Sequence, residues 1–256
     1  MLNRLRDFTY DAYIDFINLL KKKYRIIPFC EVTDTNAPFL ILRHDVDASL
    51  EAALKMAERE KKLEIKSTYF VLFSHKLYNL LEKDSLNTLK EISGLGHEIG
   101  LHYDVETYES YGRTPRESMH NEIQMLERLL NRKIFSVACH NVSLITGEDP
   151  LRNVKGYINV YDPRFCENYV SDSCRAWFLR DLSRLLEFKS TRVHLLIHPF
   201  LWTENACKRE TVLANLFNEV AARNRIYKEE WLRVWHENAK VKAYDKSVRK
   251  LKRDED

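Results

Sequence analysis

Apolar positions along the chain change period several times, and each change marks an element. Residues 7–24 carry Phe8, Ile14, Ile17 and Leu20 near helical spacing. Phe39 to Leu42 is an apolar run too short for a helix and reads as a buried strand. Ser49 to Lys62 is rich in Ala, Glu and Lys and reads as a helix. Thr68 to Phe73 reads as a strand, and a helix over Ser85 to Ser93 stops at Gly94. Glu98 to Leu101 is a short strand. Thr114, Pro115 and Glu117 form a helix start, and that helix runs to about Asn131. Further strands are expected at Phe135 to Cys139, Tyr157 to Tyr161, Tyr169 to Val170 and Val193 to Ile197, with a last long helix from near Asn205. Short apolar strands separated by helices imply parallel βαβ units. About seven strands suit a barrel-like α/β fold better than a doubly wound sheet.

The chain has 256 residues, with 45% hydrophobic and 31% charged. A packed core is therefore expected and disorder is not. Only six glycines and six prolines occur, and no segment reads as a linker. The expectation is a single domain over 1–256, with the main body at 39–200 and a helical segment at 205–256. From Asn238 the sequence is mostly charged and polar, as in a solvated helix or a frayed end. No run approaches the ~18 apolar residues of a membrane helix. The first residues, Met-Leu-Asn-Arg-Leu-Arg-Asp-Phe, place charges where an export signal needs an apolar stretch. The five cysteines are an odd count without a C-x-x-C pair and read as reduced thiols. The expected location is cytoplasmic. A net charge of +3 gives no footing for a nucleic-acid partner.

Reactive residues fall at the C-terminal ends of four expected strands. Phe39-Leu-Ile-Leu-Arg43 runs into His44-Asp45-Val46-Asp47, and Glu98-Ile-Gly-Leu101 into His102-Tyr103-Asp104-Val105-Glu106. Phe135 to Cys139 runs into His140-Asn141, and Val193 to Ile197 into His198-Pro199. In parallel α/β folds these ends share one rim, where sites are built. Each residue alone has a plainer reading. Asp47 can start the next helix, His102 can be a hydrogen-bonded loop histidine, and His198-Pro199 can be a strand stop. Four coincidences at four strand ends favour a site. His75 and His120 fall on expected helical segments, His97 and His194 at strand starts, and His236 near the polar tail. These five are assigned surface or satisfied-core roles.

Together these segments resemble the polysaccharide deacetylase superfamily (NodB homology, carbohydrate esterase 4) over roughly residues 39–200. Arg43-His44-Asp45-Val46-Asp47 is similar to the first motif, Ser67-Thr68-Tyr69-Phe70-Val71 to a conserved-type strand of the family, Gly96-His97-Glu98-Ile99-Gly100-Leu101-His102 to the GHEIGnH motif, and Leu195-Leu196-Ile197-His198 to the last motif. The resemblance implies an irregular (β/α)7 barrel of NodB type. It implies Asp45 as general base, Asp47 and His102 as metal ligands, and His198 as catalytic acid. The family's second histidine ligand lies four residues beyond the first, where this chain has Glu106. Glu106 is thus the expected third ligand, with Asp104, His140 or His44 as alternatives. The family's third motif carries an arginine that orients the base. Here His140-Asn141 stands after the matching strand, so His140 is expected to orient Asp45 or bind the metal. Asp172 is expected to tune His198.

The implied cofactor is a divalent metal, zinc first, with iron, manganese or cobalt as alternatives. The implied activity is hydrolysis of the acetamido group of a sugar, free or nucleotide- or lipid-linked, in surface-polysaccharide (O-antigen-like) biosynthesis. Two other readings stand beside it. One is a metal amidohydrolase of a small non-sugar amide. The other is a catalytically silent sugar-binding relative, suggested by Glu106 and the missing third-motif arginine.

Overall fold

The computed structural model describes residues 2–254 apart from 34–36, 74, 111, 142–149, 174–181, 183–184 and 188–190. The chain divides into two compact units, Met1–Arg209 and Glu210–Asp256. The first opens with helices α1 (Leu2–Leu5) and α2 (Tyr10–Leu20), then strands β1 (Arg25–Ile27) and β2 (Phe39–Val46). Helix α3 (Leu50–Lys62), β3 (Thr68–Leu72), α4 (Lys83–Gly94) and β4 (Glu98–Tyr103) follow. Then come α5 (Val105–Ser110), α6 (Pro115–Leu130), β5 (Ser136–Cys139), β6 (Ile158–Asn159), α7 (Pro163–Cys166), β7 (Tyr169–Ser171) and β8 (Arg192–Ile197). The second unit is built on α8 (Arg209–Asp254), which begins four residues later than the pattern suggested and continues as helix through the polar tail.

All strands pair in parallel, in the order β6-β5-β4-β3-β2-β8-β7, with β1 added beside β2. This curled sheet is a half-barrel, the deformed (β/α) architecture expected from the sequence. Strand β2 is its hub. Its first residues pair with β1 and its last with β3 on one edge, while β8 runs along the other. Side chains alternate between the two faces of a strand. On β2, Leu40 and Leu42 pack outward with α1 and α2, in a cluster that includes Tyr13, Phe16 and Trp202. Phe39 and Ile41 face the concave side, with Ile27, Phe29, Phe70, Ala138 and Val160. A third cluster fills the space between the sheet and α3 to α6, with Tyr69, Val71, Leu101, Ile123 and Leu126 among its members.

Local signals set several boundaries. Ser49 caps α3, its hydroxyl accepting from the Ala52 amide at 3.1 Å. Thr114 and Glu117 form a capping box on α6, which ends at left-handed Asn131 with φ of 51°. Gly100 on β4 is required by close packing: a Cβ there would sit 2.4 Å from the Phe70 ring and 3.0 Å from Ser136 Oγ. Among the described residues no helix is long and apolar enough to cross a membrane. Of the described cysteines, Cys30, Cys166 and Cys207 carry free thiols, Cys139 is buried, and Cys174 lies outside the described residues.

Candidate functional site

Strand register brings the ends of β2, β4, β5 and β8 to one level. His44 pairs with Ile197, Leu72 with His102, and His102 with Ala138. Around that rim stand Asp45, Asp47, His102, His140, His198 and Asp172.

Asp45 continues the inward row of β2 and is 4% exposed. Arg43, two residues earlier on the same face, is fully buried and grips it with two hydrogen bonds. Nε donates to Oδ1 and Nη2 to Oδ2, both at 2.6 Å. Arg43 also donates to the Tyr161 hydroxyl at 3.2 Å and stacks its guanidinium between the Phe70 and Tyr161 rings. Burial alone would raise the Asp45 pKa. The charge and hydrogen bonds of Arg43, together with His102, outweigh it and hold the carboxyl below the usual carboxylate range. The forked grip fixes the direction of the Asp45 carboxylate from the same strand. The signal was in the sequence: residues i and i+2 of a strand share a face.

Asp47 lies just past the end of β2. It is not the cap of α3, because Ser49 fills that role, so its carboxylate is left for the rim. Its Oδ1 is 3.2 Å from His102 Nε2, and its Oδ2 is 3.5 Å from His198 Nε2. Among the described residues, Oδ1 is buried without a hydrogen-bond partner. Burial pushes the Asp47 pKa up, but the neighbouring imidazoles His102, His198 and His140 win and hold it down.

His102 sits at 2% exposure near the end of β4. Its Nδ1 contacts the Ala138 carbonyl oxygen at 2.9 Å, and a carbonyl only accepts, so Nδ1 carries the proton. In the neutral ring Nε2 is then a bare lone pair aimed at the Asp47 carboxylate. Two acceptors at 3.2 Å require a proton or a cation between them. A backbone carbonyl fixing the tautomer of a ligating imidazole is the usual support of a metal-bound histidine.

His140 follows β5 and completes the group. Asp47, His102 and His140 each offer a ligand atom within 4.8 Å of one another. One carboxylate oxygen and two imidazole nitrogens are a donor set suited to zinc and its neighbours in the transition series, so the residues fit the implied metal. Burial tends to lower the His140 pKa, but the Asp104 carboxylate at 3.8 Å and other carboxylates raise it.

The remaining expected residues fall elsewhere. Glu106 is exposed in the first turn of α5, and it is not in the group that could hold the ion. The chain turns into helix straight after Tyr103, so the position four beyond His102 no longer lies on the rim. Asp104 accepts from the Glu106 amide at 3.1 Å and the Thr107 hydroxyl at 3.0 Å, and it backs His140. His44 points to the opposite face of β2 and bonds Glu60 at 2.6 Å, in a buried network with Tyr13, Ser67 and Tyr69. Its neighbours Arg43 and Asp45 take the inward side, which excludes His44 as the metal's nitrogen donor.

His198 follows β8 and is 8% exposed. Its Nδ1 contacts Asp172 Oδ1 at 2.6 Å, and its backbone amide donates to both oxygens of Asp172 at 3.0 Å. Trp202 Nε1 donates to Asp172 Oδ2 at 2.9 Å. Burial would lower the His198 pKa, but the Asp172 carboxylate overrides it and pushes the value up to about 9. Nε2 is the nitrogen left facing the rim.

The other histidines divide. His97 is buried, donating from Nε2 to the Ala57 carbonyl and accepting the Ser67 amide at Nδ1. His120 is exposed on α6, beside Gln124. His75 lies in a loop rather than a helix, its ring 6.4 Å from that of His140. His194 is buried on the concave side, edge-on to Phe29 and Tyr169.

No family model matches the sequence, and no protein of curated function matches it. Solved structures do resemble it. A CE4 family pseudoenzyme from Bacillus anthracis is 16% identical, with a TM-score of 0.45, over 73% of this chain and 62% of its own. This chain thus spans less than two thirds of that pseudoenzyme's length. Peptidoglycan deacetylase PdaC from Bacillus subtilis is 16% identical, with a TM-score of 0.45, over 78% of this chain and 98% of its own. A family 4 acetyl xylan esterase from Clostridium thermocellum, in complex with a cobalt ion, is 12% identical, with a TM-score of 0.43, over 72% of this chain and 84% of its own. The structures to which this chain is similar therefore include members of carbohydrate esterase family 4.

Proposed function

We propose that this chain is a metal-dependent N-deacetylase that hydrolyses the acetamido group of a sugar. The observation that carries the reading is the meeting of an unpartnered Asp47 oxygen with the Nε2 lone pair of His102, beside His140. That arrangement calls for a proton or a cation between them, and His140 as a third donor within reach supports the cation. Asp47, His102 and His140 would hold it, and a bound divalent ion lowers the pKa of water and polarises a carbonyl oxygen.

The chain's own residues divide the remaining work. Asp45 stays ionised under the Arg43 fork, and Arg43 fixes the direction of its lone pairs. It is the base that takes a proton from the attacking water. On the other flank His198 is held by Asp172 with Nε2 turned toward Asp47. Protonated at neutral pH, His198 delivers a proton to the departing nitrogen. An acid on one flank and a base on the other, around one electrophilic centre, is what amide hydrolysis needs. The acetamido sugar as substrate class is supported by the likeness of segments 43–47, 96–102 and 195–198 to polysaccharide deacetylase motifs.

The test is acetate release from a panel of N-acetylated amino sugars by the zinc-, cobalt- or manganese-supplemented chain. Turnover is expected for the unchanged chain. Asp45→Asn and His198→Ala are each expected to lower it by about 10²–10⁴-fold while metal content is retained. Acetate release undiminished in both variants would overturn the assignment, as would a metal-loaded chain that releases none.

A further inference from the structure

The strongest unexplained surface is on α8. This helix has 46 residues, roughly 69 Å at about 1.5 Å per residue. Leu213, Phe217, Tyr227, Trp231, Val234 and Val241 are all exposed on it. Their spacing is regular. Leu213, Val220, Tyr227, Val234 and Val241 recur at every seventh position. Four residues after the first four of them come Phe217, Asn224, Trp231 and Asn238. The two rows alternate by four and three residues, which is a heptad repeat with the second row at a and the first at d. A straight helix drifts by about 20° per seven residues, so a strict seven-residue row keeps one face only when two helices supercoil. Tyr227 and Trp231 on these rows touch edge to edge at 6.2 Å between centroids, and Trp231 touches Trp235, beside the rows, at 6.0 Å.

We propose that α8 pairs with the same helix of a second copy of this chain, as a parallel, in-register two-stranded coiled coil. The asparagines decide both the partner and the direction. In an antiparallel pair each a residue packs against d residues, and every d residue from Leu213 to Val241 is apolar or aromatic. Asn224 and Asn238 would then be buried against apolar side chains without hydrogen-bond partners, which is costly. In a parallel, in-register pair a faces a. Asn224 meets the partner's Asn224 and Asn238 the partner's Asn238, so each side-chain amide finds its complement. A slip of one heptad sets the asparagines against Phe217, Trp231 or Asp245 and loses both pairs. Valine at d favours higher orders, and the asparagine pairs oppose that by fixing two strands. On the flanks Glu237 lies beside the partner's Lys242, an attraction, while Arg223 lies beside the partner's Lys228, a repulsion. The flanks therefore roughly cancel and the seam sets the pairing. Ile226 and Trp235 lie off the seam.

The experiment uses the full chain. Sedimentation equilibrium at micromolar concentration is expected to give twice the 30.5 kDa chain mass. Val234 lies on the seam and faces its own copy only in the parallel register. Val234→Cys is therefore expected to form a disulfide-linked dimer under mild oxidation. His236→Cys, on the outer side of the helix, and the unchanged chain are expected to remain unlinked. Trp231→Glu combined with Val234→Glu is expected to give the single-chain mass with an unchanged thermal transition of the barrel. A single-chain mass for the unchanged protein overturns the proposal, and so does a mass above two chains. Cross-linking through His236→Cys but not through Val234→Cys overturns the parallel register.

Discussion

Replacing Arg43 by Met leaves Asp45 in a buried place without its counter-charge. The guanidinium makes two hydrogen bonds of 2.6 Å to that carboxylate, and both groups are withdrawn from water. A hydrogen bond to a charged group contributes about 1.5–3 kcal/mol. Removing one partner of a buried pair generally costs about 3–5 kcal/mol, because the other charge stays behind. Met fills most of the space between Phe70 and Tyr161, so the packing loss is small beside the electrostatic one. The expected loss is therefore about 3–5 kcal/mol, a large share of the ~5–15 kcal/mol that holds a domain together. The assay is urea unfolding of Arg43→Met, Asp45→Asn and the double variant. Once Asp45 is neutral, Arg43→Met should cost much less, giving a coupling of more than about 2 kcal/mol in the cycle. A loss below about 1 kcal/mol in Arg43→Met, or simple additivity in the double variant, would refute the pairing argument.

Other outcomes follow from the same packing and charge reasoning. Gly100→Ala forces a methyl against the Phe70 ring at 2.4 Å and is expected to destabilise by about 1–3 kcal/mol in urea unfolding. Glu122 is buried, and burial outweighs its hydrogen bond from Tyr108 to raise its pKa to about 7. The folded state thus holds its proton more tightly than the unfolded one, and stability falls as pH rises from about 4.5 through 7. Glu122→Gln should be more stable than the unchanged chain at pH 8, by at most roughly 3 kcal/mol, and no more stable at pH 4. His194 runs the other way: burial and the Arg43 charge lower its pKa to about 3. Unfolding takes up a proton there below about 6.5, so stability falls as pH falls, and His194→Leu should flatten that acid slope in urea midpoints at pH 7 and 5.

Strands were legible wherever an apolar run coincided with the core. The expected strands at 68–73, 98–101 and 193–197 match β3, β4 and β8 to within two residues at each end. The apolar run ends at Leu42, but strand β2 continues to Val46. Its last residues look polar, yet Arg43 pairs with Asp45 on one face and His44 Nε2 with Glu60 on the other. Strand β1 is not legible in the sequence, because three residues carry no period. The site was legible as a set of strand ends, since parallel topology forces them together. Its third corner was legible only as a choice among Glu106, Asp104, His140 and His44. Counting four residues from His102 assumes the chain keeps to the rim, and the start of α5 carries Glu106 away from it. His140 comes from a different strand, so its place at a strand end offers it as a candidate but no local spacing ranks it above Glu106. The Arg43–Asp45 pair follows from strand alternation alone, since residues i and i+2 of β2 share a face.

The central claim is one divalent ion held by Asp47, His102 and His140. Elemental analysis of the chain after metal loading and extensive dialysis tests it directly. The account predicts about one transition-metal ion per chain in the unchanged protein and in Glu106→Ala, and none in His102→Ala or His140→Ala. Retention of metal in His102→Ala, or its loss in Glu106→Ala with His140→Ala still loaded, would contradict it.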